Sequence, residues 1–140
     1  MTAVPTTLFS AAVTLLALLL VFYTGWNVGT MRGKHKIAAP AVTGNPEFER
    51  AYRVQMNTLE QFVLFLPLLW LATIYFHMLP WLPAVFGLVW ILGRWLYMQG
   101  YMAAPDKRGR GFVVAGIANL ALLLMAIVGI VQAWIAVHAT

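Results

Sequence analysis

Residues 44–65, GNPEFERAYRVQMNTLEQFVLF, decide how this chain is built. Asn45 is a residue type that accepts hydrogen bonds from the free N–H groups of a first helical turn, and Pro46 fits the first helical position, where its missing N–H is not needed. Glu47 and Glu49 place negative charge where the helix dipole is positive. The stretch therefore predicts a helix that starts in water. Arg53, Asn57 and Glu60 follow at i, i+4 and i+7, which puts them on one face. After Glu60 no Asp, Glu, Lys or Arg occurs until Arg94, so this helix carries a polar stripe down into an apolar body.

Composition identifies that body. Hydrophobic residues make up 62% of the 140, charged residues 9%, and the mean hydropathy is +0.82, whereas charged residues are about a quarter of a soluble domain. At about 20 residues per span, the length accommodates roughly four transmembrane helices with short connectors. The expected fold is an all-α integral membrane protein, a four-helix transmembrane bundle forming one domain over residues 1–140. The absence of cysteine excludes disulfides, thiolate metal sites and a cysteine nucleophile.

Outward from the deciding stretch, the spans are predicted at about 7–31, 46–76, 83–103 and 107–137. Met1 to Met31 carries no charged side chain, and without basic residues before its apolar run it reads as a span rather than a signal peptide. Residues 32–43, RGKHKIAAPAVT, read as a basic loop. Pro80 and Pro83 mark the turn before the third helix, which carries Arg94, Tyr97 and Tyr101 on one face. Ala104 to Gly111 is the next break.

Charge is confined to residues 32–53, Glu60, Arg94 and residues 106–110. The first and third connectors, 32–45 and 104–111, lie on one bilayer face, and their basic excess makes that face cytoplasmic. This pattern suits a bacterial inner membrane first and an endoplasmic reticulum membrane second. Arg32, Lys34, Lys36, Lys107 and Arg110 read as solvated loop cations. His35, His77 and His138 are far apart and lack carboxylates at helical spacing, so no metal site is expected.

Glu60 and Arg94 fall within apolar sequence at similar depth, so they are expected to pair across the second and third helices. A packing ion pair needs only those two residues. Arg53, Gln55, Asn57, Glu60, Arg94, Tyr97, Tyr101 and Arg108 together supply many more donors, a lining suited to a polar, anionic ligand.

The run Glu49-Arg50-x-x-Arg53-x-Gln55-x-Asn57-x-x-Glu60, followed by Arg94-x-x-Tyr97-x-x-Gly100-Tyr101 and Arg108, resembles the MAPEG family of membrane-associated proteins in eicosanoid and glutathione metabolism. The resemblance implies a homotrimer that holds glutathione between neighbouring subunits near the cytoplasmic side. It implies contacts to glutathione from Arg32, Arg53, Gln55, Asn57, Glu60, Tyr97, Tyr101 and Arg108, with Arg108 stabilising the thiolate; Arg110 is the second candidate for that role. Gly33 and Gln61 depart from the leukotriene-synthase pattern and Gly109 from the prostaglandin-synthase pattern, whereas Arg108-x-x-Gly111-Phe112 resembles the transferase subgroup. The expected activity is glutathione transfer to hydrophobic electrophiles drawn from membrane lipid, with lipid-hydroperoxide reduction beside it. Lipid presentation without chemistry and small-molecule transport are the alternatives. No nucleic-acid partner is expected.

Overall fold

The computed structural model describes residues 5–139; residues 1–4 and 140 of the predicted 1–140 domain lie outside the described residues. Helix α1 spans Thr6–His35, α2 Pro46–Tyr75, α3 Leu82–Ala103 and α4 Gly109–His138, with a 3-10 turn, Pro105–Arg108, leading into α4. Three helical stretches, Thr6–His35, Pro46–Tyr75 and Pro105–His138, are long and apolar enough to cross a membrane. Helix α3 has 22 residues, a rise of about 33 Å, and is made more polar by Arg94, Gln99 and two tyrosines.

The start of α2 is built as its residues dictate. Asn45 Oδ1 accepts from the N–H groups of Glu47 at 2.9 Å and Phe48 at 3.4 Å. Helix α1 departs from expectation. It continues through Arg32–His35, where a loop was expected, and ends only at Lys36, which adopts the left-handed conformation with φ 54°. Arg32, Lys34 and His35 occupy its last turn, where cations complement the negative end of the dipole. Glu47 then ties α1 to α2, accepting from Lys34 Nζ at 2.9 Å and lying 2.8 Å from His35 Nε2.

Inside a bilayer the lipid tails are as apolar as the side chains, so helices associate through close packing and buried hydrogen bonds rather than through the hydrophobic effect. Ala17, Ala72, Ala115 and Ala118 are buried at the helix contacts, and the Phe65 and Trp90 rings stack at 4.0 Å. Thr73 donates to the Leu69 carbonyl at 2.7 Å, so Ser10, 2.7 Å away, must donate to Thr73 and joins α1 to α2. Close contact between α3 and α4 requires glycine. A Cβ at Gly93 would lie 2.5 Å from Ala115 N, and one at Gly111 would collide with the backbone of Tyr97. That approach brings Tyr97 beside the first turn of α4. On the outside, large apolar side chains such as Phe22 (75% exposed) and Trp26 (77%) face outward, an arrangement suited to lipid and not to water. The protein is a multi-pass integral membrane protein.

Candidate functional site

At the end of the bundle that carries the basic connectors, α2, α3, the 3-10 turn and α4 line a half-open cavity of about 430 Å³. It is lined by Arg53, Met56, Asn57, Glu60, Tyr97, Tyr101, Arg108 and Phe112. The helical period places Arg53, Asn57 and Glu60 on the α2 wall. Tyr97 and Tyr101 stand one turn apart on α3, their rings 5.6 Å between centroids. Arg108, in the turn after Pro105, lays its guanidinium 5.3 Å over the Tyr101 ring, and Phe112 closes the cavity one turn further along, 6.4 Å from Tyr97.

Arg94 lies beneath this wall and is 1% exposed. Its Nη2 donates to Asn57 Oδ1 at 3.0 Å and to Thr58 Oγ1 at 2.8 Å, and its guanidinium stands 4.0 Å over the Tyr97 ring. The expected Glu60–Arg94 ion pair is not formed. Among the described residues the ion pairs within 4.0 Å are those of Glu47. The depth estimate erred by less than one turn: Arg94 meets α2 two to three residues before Glu60, about 3–5 Å away along the axis, and Glu60 turns to the cavity. Asn57 bridges the two, since its Nδ2 donates to Glu60 Oε2 at 3.4 Å.

Of the eight residues expected to contact glutathione, six line this one cavity: Arg53, Asn57, Glu60, Tyr97, Tyr101 and Arg108. Arg32 and Gln55 do not. Arg32 Nη1 donates to the Ala41 carbonyl at 2.7 Å and its guanidinium stands 4.8 Å from the Phe48 ring centroid, which staples the connector to α2. Gln55 is two residues and so about 200° around α2 from Arg53, packed on α1 with its Nε2 3.1 Å from where a Gly25 Cβ would be. Arg110 lines a different recess, with Asp106, Lys107 and Gly109.

Sequence reasoning missed Met56, Phe112 and Thr58. Met56 and Phe112 lie one turn from Glu60 and Arg108, so helical spacing from the polar residues was the available signal. Thr58 carries no such signal, because its role depends on where α3 crosses α2. Chemically, the cavity is lined by two arginines, Arg53 and Arg108, and one carboxylate, Glu60, with the Arg94 guanidinium buried behind Asn57. The chemistry of this lining suits a molecule with more than one anionic group and leaves one acidic side chain for a cationic group.

Comparison with known proteins gives the same direction. Residues 10–128 match the model of the MAPEG family. The chain is 45% identical over 123 residues to the uncharacterized protein sll1147 of Synechocystis sp., covering 88% of each chain. It is 45% identical over 121 residues to microsomal glutathione S-transferase 2 of Mus musculus, covering 86% of this chain and 80% of that protein. With leukotriene C4 synthase of Bos taurus it shares 39% over 120 residues, covering 86% and 79%. A family match across most of its length, with relatives this similar, shows that the chain belongs to the MAPEG family.

Proposed function

We propose that this protein is a membrane-bound glutathione transferase that converts glutathione to its thiolate for attack on hydrophobic electrophiles, with reduction of lipid hydroperoxides as a related activity. The observation that carries the reading is one cavity lined by Arg53, Asn57, Glu60, Tyr97, Tyr101 and Arg108. Arginine forks match the two carboxylates of glutathione, and Glu60 matches its ammonium. The similarity to proteins named microsomal glutathione S-transferase 2 supports the choice of ligand.

In this reading Arg108 is the catalytic residue. A free thiol with a pKa of about 8.5 is mostly protonated at neutral pH, and a fixed cation beside it raises the thiolate fraction. The thiol proton leaves to solvent, and the sulfur then forms a bond to the electrophilic carbon while that carbon's leaving group departs or its π-bond electrons move away. Arg110 is disfavoured because it faces a recess away from the tyrosines.

The separation of Arg32 and Gln55 from the other six residues supports an assembly, expected to be a trimer, in which the α1-side face of one copy completes the cavity of the next. Helix α3 is the fourth span, the two basic connectors face the cytoplasm, and the charge map favours a bacterial inner membrane. The electrophile enters from the bilayer, so catalysis needs no soluble carrier.

The test is an ultraviolet difference spectrum of the detergent-purified protein on adding glutathione, paired with equilibrium binding. A thiolate band on binding is expected. Glutathione bound without a thiolate band would point instead to a lipid-presenting protein, and absence of binding would sink the glutathione reading.

A further inference from the structure

Arg94 lines no part of the cavity surface, yet it grips two residues that do, Asn57 and Tyr97. Its setting is costly. The guanidinium is 1% exposed, its Nε and Nη1 have no hydrogen-bond partner, and no carboxylate lies within 4.0 Å. A buried charge without an ionic partner is destabilising relative to an apolar side chain of similar volume, so packing alone does not account for an arginine here.

Its effect on Asn57 follows from donor and acceptor chemistry. A guanidinium has donors and no acceptor, whereas a side-chain amide has one oxygen acceptor and one NH₂ donor group. Asn57 must therefore turn its Oδ1 toward Arg94, as the 3.0 Å contact has it. That commitment leaves Nδ2 on the other side, toward Glu60 and the cavity. Without Arg94 the amide is held only by the longer, 3.4 Å contact of Nδ2 with Glu60 Oε2, and once Glu60 engages a ligand the amide is free to flip and present an oxygen. The cation on the Tyr97 face restrains that ring in the same way, and Thr58 Oγ1 holds the guanidinium in place.

We propose that Arg94 is a positioning residue that locks the Asn57 amide with its NH₂ group toward the cavity, making this part of the α2 wall a donor for a carboxylate or carbonyl oxygen. The inference rests on the glutathione reading and adds to it: of the two contacts that orient the Asn57 amide, the 3.0 Å bond from the buried arginine is the shorter and is the one that stays when Glu60 turns to a ligand.

The experiment is a double-mutant cycle on the full-length, detergent-purified protein. Glutathione binding is measured by calorimetry and folding by circular dichroism melting, for Arg94→Met, Asn57→Ala and the double variant. Arg94→Met fills a similar volume without a buried charge and is expected to keep or raise the melting temperature while weakening glutathione about ten-fold. In the Asn57→Ala background the same change is expected to do nothing further. Effects that multiply in the double variant overturn the route through Asn57, and native affinity in Arg94→Met overturns the proposal altogether. If Arg94→Met does not fold, Arg94→Gln decides: its amide can donate to or accept from Asn57 and so does not enforce one flip, so native glutathione affinity in that variant overturns the proposal, and a loss of about ten-fold that disappears in the Asn57→Ala background supports it. Failure of glutathione to bind the native protein overturns the functional reading together with this inference, whereas native binding with unaltered variants overturns the inference alone.

Discussion

Replacing Arg108 by alanine tests the proposed chemistry most directly. A thiolate about 4 Å from a guanidinium gains about 1 kcal/mol in water and about 4 kcal/mol at the effective dielectric of about 20 found near protein surfaces. Arg108 is an exposed residue at the cavity edge, over the Tyr101 ring, so its contribution lies between those limits, at about 1–3 kcal/mol. That corresponds to lowering the bound thiol by about 1–2 pH units from its free value of about 8.5. At pH 7 the thiolate fraction of bound glutathione then rises from a few per cent to between about a fifth and three quarters. The sign is definite: the cation favours the charged form, so the native protein keeps the thiolate to lower pH than the variant does. The assay is a pH titration of thiolate absorbance with glutathione held at saturation, for the native chain and Arg108→Ala. The variant is expected to titrate about 1–2 units higher and to lose transferase turnover near pH 7 in proportion. A variant that still binds glutathione and titrates with the native protein would falsify the assignment of Arg108. Repeating the titration on Arg110→Ala, expected to match the native curve, separates the two arginines.

Other consequences follow from the same geometry. Gly111→Val forces side-chain atoms onto the Tyr97 backbone, so the melting temperature should fall sharply and glutathione binding disappear with it. A melting curve like the native one would show that α3 and α4 need not approach so closely. Arg32→Ala with Gln55→Ala in one copy, co-expressed with Arg108→Ala in another, should restore part of the activity, because mixed assemblies contain some cavities with both faces intact; no recovery in purified mixed oligomers argues that each site is complete within one chain. Asn45→Ala removes the cap that bonds the Glu47 and Phe48 N–H groups and should cost about 1 kcal/mol of stability, read as a lower denaturation midpoint with unchanged activity at low temperature.

The deciding stretch shows why so much was legible. Asn45, Pro46 and the two glutamates act through the first turn of their own helix, and such local chemistry does not depend on the partner. The same holds for the i, i+4, i+7 spacing of Arg53, Asn57 and Glu60, which puts them on one wall whatever faces it. The boundary at residue 31 failed for a complementary reason. Arg32 and Lys34 look like loop residues by charge, yet at the end of a helix their charge is stabilising, and Glu47 of the next helix pairs with Lys34 and lies against the His35 ring.

The sequence by itself determined the helices, their apolar character and which polar residues share a face, because helical period and composition are properties of one chain segment in a given solvent. Tertiary structure alone decided what those faces meet. Counting residues along two helices left the Glu60–Arg94 pair in register to within a turn, but hydrogen bonds discriminate over a few tenths of an ångström. The crossing of α3 against α2, made close to α4 by Gly93 and Gly111, delivers Arg94 to Asn57 and Thr58 instead. Packing likewise gathers six residues around one cavity and leaves outside it Arg32, at the end of α1, and Gln55, on the side of α2 that meets α1, since which side of a helix becomes an interior is settled only when its neighbours pack against it.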